Sequence, residues 1–136
     1  ELDCMLVAGP NERSDFHINP TEEFFYQIKG RLVLTVLEDF SDGKHRREIE
    51  IGQGKCFLLP ALVPHNPRRE EESLGLVIER RRPEGAHDKI IWYCKLCNAI
   101  LNEYSFQCKD LDVNILEAIN SNNDLSGQIC ARCGHE

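Results

Sequence analysis

Apolar residues come in short runs along this chain, each cut off by glycine, proline or aspartate. Residues 4–8 are mainly apolar up to Gly9 and Pro10 and predict a strand. Residues 24–28 predict a second, closed by a turn at Gly30. Residues 31–38 are β-branched and apolar without a helix-type stripe, which favours a buried strand. Ser41-Asp42-Gly43 has hairpin chemistry and returns the chain through residues 46–51, where Ile49 and Ile51 alternate with charge. Further strands are expected at 55–59, 74–78 and 89–93. One helix is expected over 111–120, because Leu111, Ile115 and Ile119 recur on one face and Asp110 or Asp112 is placed to cap it. Many short strands between turn residues predict an all-β barrel or sandwich.

With 136 residues and 41% hydrophobic content, the chain suits one packed domain with a small appended module. It has no internal repeat. The composition shift at residues 80–85 divides a barrel core over 1–83 from a cysteine-rich tail over 84–136. The longest apolar runs, such as 32–37, are too short to span a bilayer, and no signal-peptide pattern is present. The first residue is Glu1, so a leader or more is expected to precede it. A net charge of −7 argues against nucleic acid or an anionic membrane as partner, and any anionic small molecule must be held by local arginines. Seven cysteines, an odd number containing two CxxC pairs, point to metal ligation in a reducing compartment, the cytoplasm.

The first candidate chemistry lies in His17, Glu23 and His65. Pro20 and Thr21 between His17 and Glu23 predict two strand ends joined by a turn. Two imidazoles and a carboxylate suit a divalent first-row metal and leave coordination positions for a substrate and dioxygen. A lone histidine in a β protein is ordinarily structural or on the surface, and His45, His87 and His135 keep that reading, although His135 is near enough to Cys133 to be an alternative tail ligand. The second candidate is Cys94, Cys97, Cys130 and Cys133, two knuckles that can present four thiolates to one tetrahedral ion and help fold the tail. Cys4, Cys56 and Cys108 lack a pairing pattern and are expected as buried small apolar residues. The charge run 68–72 and Arg80, Arg81 and Arg82 read as solvated faces, and Phe24, Phe25, Tyr26 and Gln27 as packing residues.

His17, Glu23 and Gly30, with Asn19 in place of a usual second histidine, and then Gly54, Pro60 and His65, resemble the two motifs of the cupin superfamily. Residues 9–17, 22–27, 57–60 and 75–80 resemble the 3-hydroxyanthranilate 3,4-dioxygenase family, and the cysteine tail looks like that of its bacterial form. The resemblance implies a cupin (double-stranded β-helix, jelly-roll) barrel with a small rubredoxin-like C-terminal region and one short helix. It implies Fe2+ on His17, Glu23 and His65, and a second ion, iron or zinc, on the four cysteines. The implied reaction is extradiol-type cleavage of 3-hydroxyanthranilate by O2 to 2-amino-3-carboxymuconate semialdehyde. That product closes to quinolinate, on the kynurenine route to NAD. Zinc has no redox chemistry, which favours iron in the barrel.

The resemblance also implies roles around the metal. Arg69 binds the substrate carboxylate, Arg13 lies near substrate and oxygen, and Glu79 hydrogen-bonds the substrate and handles its phenolic proton. Glu23 borders the substrate as well as the metal, and Pro67 lines the pocket. Dimers are frequent in that family, so a homodimer is within what it implies. Its members begin with a longer segment that adds sheet and pocket residues. The present chain starts just before the Gly9 loop, so a fragment with one barrel edge and one pocket wall incomplete is expected. Two other readings compete: another metal-dependent cupin enzyme, and a non-catalytic metal-binding module. Arg13, Arg69 and Glu79 weigh against the first, which needs no such anion grip, and the acidic balance and lack of a basic stripe weigh against the second.

Overall fold

In the computed structural model, which describes residues 1–122 and 128–135, ten strands and one helix follow one another in the order the turn residues impose. They are β1 (Leu2–Ala8), β2 (Phe16–Ile18), β3 (Glu23–Lys29), β4 (Leu32–Phe40), β5 (Gly43–Ile51), β6 (Cys56–Leu59), β7 (His65–Arg69), β8 (Leu74–Arg80), β9 (Asp88–Tyr93), β10 (Ile100–Phe106) and α1 (Leu111–Asn122). They form a four-stranded sheet, β1-β8-β3-β6, and a six-stranded sheet, β10-β9-β2-β7-β4-β5, with every pairing antiparallel. This is the expected all-β double-sheet barrel.

Alternation along the strands makes the core. Phe25, Leu59 and Val77 of the smaller sheet meet Leu32, Leu34, Val36 and Ile51 of the larger one. β4 reads as continuously apolar because Leu37, on its opposite face, packs with Phe16, Ile91 and Tyr93. β5 starts at Gly43 rather than at residue 46, since it pairs with β4 residue for residue from Phe40↔Gly43 to Leu32↔Ile51. β10 was not expected at all. Asn102, Glu103 and Ser105 interrupt its apolar character, and pairing with β9 makes it a strand.

The helix forms where the period predicts. The Val113 N–H donates to Asp110 Oδ1 at 3.2 Å, so Asp110 is the cap. Ile115, Ala118 and Ile119 cover Ile90 and Trp92 of β9. No described helix is long and apolar enough to cross a membrane. β9 follows the composition shift, yet it lies within the larger sheet beside β2.

The expectation that Cys4, Cys56 and Cys108 are buried is corrected. Cys4 and Cys56 are exposed and Cys108 is half-buried. In β1, Met5 and Val7 pack inward, so alternation turns Cys4 outward together with Leu2 and Leu6. Tyr26, expected in the core, faces outward by the same rule, while Phe25 is buried.

Two register matches place the chemistry. His17 of β2 lies directly opposite His65 of β7 in the larger sheet. Glu23 of β3 lies directly opposite Glu79 of β8 in the smaller one.

Candidate metal centres

The histidine pair and Glu23 converge. His17 Nδ1 lies 3.5 Å from Glu23 Oε1, and His65 Nε2 lies 3.2 Å from the same oxygen. Donors about 2.1 Å from one ion at angles near 90–110° are separated by roughly 3.0–3.4 Å, so these atoms can share one metal. All three residues are buried. The donor set, two imidazoles and one carboxylate, fits a divalent first-row ion with part of its coordination sphere left over.

Burial favours the neutral imidazole and lowers the pKa of His17, against the Asp88 hydrogen bond and the Glu23 charge. Burial acts the same way on His65, but the charge and hydrogen bond of Glu23 outweigh it and raise that pKa. For Glu23, burial pushes upward, and the opposing pull of His65 and His17 brings the carboxyl down to about 2. A carboxylate held ionised between two rings is what a cation requires.

Around the three lie residues that the sequence did not single out as functional. Asn19 Nδ2 donates to Glu23 Oε1 at 3.0 Å and to Glu79 Oε2 at 2.9 Å, tying the two glutamates together. Its own Oδ1 accepts from Thr21 N at 2.8 Å, which fixes the amide orientation and makes the turn after β2. Burial and the Glu23 charge push the Glu79 carboxyl up to about 7, against the pull of Arg82. Arg80 and Arg81 are exposed, as a charge run predicts. The solvated reading of Arg82 is corrected: its side chain is 5% exposed and bridges Glu79 and Asp88 at 2.6 Å each. Asp88 in turn accepts from His17 Nε2 at 2.7 Å.

Arg69 is 4% exposed, and among the described residues its Nε and Nη1 have no hydrogen-bond partner. Burial lowers its pKa to about 10, against the Glu23 charge, which raises it. A Cβ on Gly75 would stand 2.7 Å from Arg69 Nη1 and 2.9 Å from Gln27 Oε1, so glycine is what leaves room for the guanidinium. A buried cation with two unsatisfied donors is chemically suited to an anion. Arg13 is separate from this group. Its guanidinium pairs with buried Asp15, in a groove of about 590 Å³ that Tyr93 and Asn66 also line. Its positive charge is still felt at His65, where it works against the rise in pKa. Pro67 is half-buried on β7 between His65 and Arg69.

The second cluster is the four cysteines. Cys94 and Cys133 sulfurs are 3.6 Å apart, as are those of Cys97 and Cys130, and all four lie within 4.8 Å of one another. Metal–sulfur bonds of about 2.3 Å in a tetrahedron give sulfur separations near 3.8 Å, so one ion fits. The knuckles share one turn: Asn98 N–H donates to Cys94 O, Gly134 N–H donates to Cys130 O, and both donor residues have positive φ, 56° and 72°. Backbone N–H of Cys97 draws the Cys94 thiol down to about 6, toward the thiolate a metal needs. His135 stands outside the group and gives its carbonyl to Cys130 N–H at 2.8 Å. Arg46 of β5 joins the knuckle to the barrel. Its Nε donates to Asn98 Oδ1, its Nη2 to the carbonyls of Tyr93 and Cys94, and its guanidinium lies 5.2 Å from the Phe16 ring centre. Cys130→Ser is expected to lower the thermal midpoint by roughly 5 °C or more. Metal analysis should still find the ion bound by the histidines; its loss as well would mean that the two sites do not bind independently.

Comparison with known proteins follows the same residues. The family model for 3-hydroxyanthranilic acid dioxygenase matches residues 1–123. The 3-hydroxyanthranilate 3,4-dioxygenase of Candida albicans is 47% identical over 131 residues, covering 96% of this chain and 74% of that protein. Those of Podospora anserina and Yarrowia lipolytica are 44% and 47% identical, again over 96% of this chain and over 70% and 75% of theirs. Among solved structures, an oxalate oxidase in complex with the substrate analogue glycolate aligns with 57% of this chain and 39% of its own, at 20% identity and a TM-score of 0.47. A match that runs through the histidine, glutamate and first cysteine segments, with identity near one residue in two, means that the chain belongs to the 3-hydroxyanthranilic acid dioxygenase family.

Proposed function

We propose that this chain is an iron(II)-dependent dioxygenase that cleaves 3-hydroxyanthranilate between the carbons bearing its hydroxyl and amino groups. Both atoms of O2 enter the product, 2-amino-3-carboxymuconate semialdehyde, so no external reductant is needed. The observation that carries this reading is Arg69, a buried guanidinium with two unsatisfied donors on the strand that also carries His65. A metal-binding module has no use for such a group, and a benzoate-type substrate does. Bound at His17, Glu23 and His65, iron(II) supplies the one-electron exchange that ground-state dioxygen requires before it can attack a closed-shell ring.

The protein's own residues supply the rest. Arg69 grips the substrate carboxylate through its guanidinium N–H donors and so sets the ring's orientation. Glu79 receives the phenolic proton, and a carboxyl raised to about 7 is matched to that task near neutral pH. Asn19 holds Glu79 at a fixed distance from Glu23, so that the base does not compete for the metal. Arg13 contributes positive charge from the groove beyond β2. The second ion, iron or zinc on the four cysteines, holds the tail. The reading places the protein in a reducing compartment, the cytoplasm, in keeping with seven unpaired cysteines.

The test is anaerobic reconstitution with iron(II), followed by oxygen uptake on adding 3-hydroxyanthranilate. One O2 consumed per substrate supports the proposal; full iron loading without uptake leaves only the metal-binding module. The pH profile gives a sharper check. Below about 7 Glu79 carries its proton and cannot take another, so kcat/KM should rise with pH through that value. Glu79→Gln should remove the rising limb, and a limb that persists would assign the proton to another group.

A further inference from the structure

His17 and His65 offer different nitrogens to the same point. His65 turns Nε2 toward Glu23 and donates Nδ1–H to the Val63 carbonyl at 3.0 Å. His17 turns Nδ1 toward Glu23 and donates Nε2–H to Asp88 Oδ2 at 2.7 Å. A backbone carbonyl fixes one ring, and a buried carboxylate fixes the other. Asp88 is 0% exposed, and both of its oxygens also accept from Arg82, Oδ1 at 2.9 Å and Oδ2 at 2.6 Å. The remaining arm of Arg82, Nη1, donates to Glu79 Oε2 at 2.6 Å. Glu79 Oε2 accepts from Asn19, which donates its other proton to Glu23. The contacts therefore close a loop: His17, Asp88, Arg82, Glu79, Asn19, Glu23, and back to the shared metal position.

We propose that Asp88 and Arg82 are positioning residues of the histidine site. Arg82 clamps the Asp88 carboxylate, which holds the proton on His17 Nε2 and keeps His17 Nδ1 facing the metal, and the same guanidinium fixes Glu79. The inference rests on the metal-site reading above. β2 has only three residues, which pair with β9 along their length and with β7 at one residue pair; this pairing sets where His17 sits, and its side-chain partner sets which ring nitrogen faces the metal. A ring nitrogen that carries a proton has no lone pair for a metal, so the acceptor at the far nitrogen decides which one ligates. One cation between two buried carboxylates also leaves neither acid unpaired, which keeps Asp88 a strong acceptor in a dry site.

The experiment uses the full chain, loaded with zinc at both centres and labelled with ¹⁵N-histidine. Imidazole ¹⁵N shifts report which nitrogen is protonated and which is metal-bound, and competition with a chelator reports the affinity of the histidine site. Wild type is expected to show His17 bound through Nδ1 and His65 through Nε2. Asp88→Ala should lower metal affinity by about 10–100-fold and mix the His17 tautomers. Asp88→Asn, which keeps the shape and one acceptor oxygen, should retain the tautomer with a smaller loss, and it remains informative where alanine fails to fold. Arg82→Lys, whose ammonium cannot fork to two carboxylates, should fall between them. His17 bound through Nε2 in wild type, or Asp88→Ala with unchanged affinity and tautomer, would overturn the inference. If wild type binds metal and turns over while the Asp88 variants are unmoved, the proposed function stands and only this assignment fails. A wild type that takes no metal at the histidines defeats both.

Discussion

Glu23→Gln is expected to remove the metal from the barrel and ring cleavage with it. Glu23 Oε1 lies within reach of both imidazoles, at 3.5 and 3.2 Å. Glutamine keeps the shape and loses the charge, and its amide oxygen is a far weaker donor to a hard cation. The affinity loss should exceed the roughly 10–100-fold that an outer hydrogen-bond partner is worth, because a direct ligand is lost. Metal analysis should fall from two ions per chain to one, the survivor being held by Cys94, Cys97, Cys130 and Cys133, whose sulfurs lie in the tail. Metal content that stays at two ions per chain would remove Glu23 from the ligand set.

Arg69→Met should separate function from stability. A charge-assisted hydrogen bond is worth about 1.5–3 kcal/mol, which is roughly a 10–150-fold rise in KM for 3-hydroxyanthranilate. In the proposed function Arg69 grips the carboxylate equally before and during ring opening, so kcat should change little. The thermal midpoint should hold or rise, since the substitution removes two buried unsatisfied donors and leaves comparable volume behind. An ordinary buried arginine would do the opposite, losing stability with its partners. An unmoved KM would take the substrate carboxylate away from Arg69.

The parts of this site that are legible in the sequence are those written locally. His17 and Glu23 are separated by one turn, and Pro20 and Thr21, which mark it, lie between the two strand ends. The cysteine knuckles are likewise complete within four residues each. Asp88 and Arg82 are written at long range: Asp88 meets His17 across 71 residues, and nothing near either residue announces the other. Arg82 is further hidden in a run of three arginines, two of them exposed, where only the β8 end and the turn after it decide which one folds inward. Asn19 is visible as a departure from the two-histidine pattern, but its work of joining two carboxylates needs the Glu23↔Glu79 register, which no local stretch contains. Strand β10 fails for a related reason, since its conformation comes from its neighbour and not from its own alternation.

Arg46 gives the cysteine tail a landing place on the barrel that is specific in both chemistry and position. A chimaera built by exchanging the tail between proteins would have to transplant the arginine, the asparagine and the aromatic ring as one unit. Moved piecemeal, the module would carry its own ion and hang loose. The joint, more than either metal, sets where such a cut can be made.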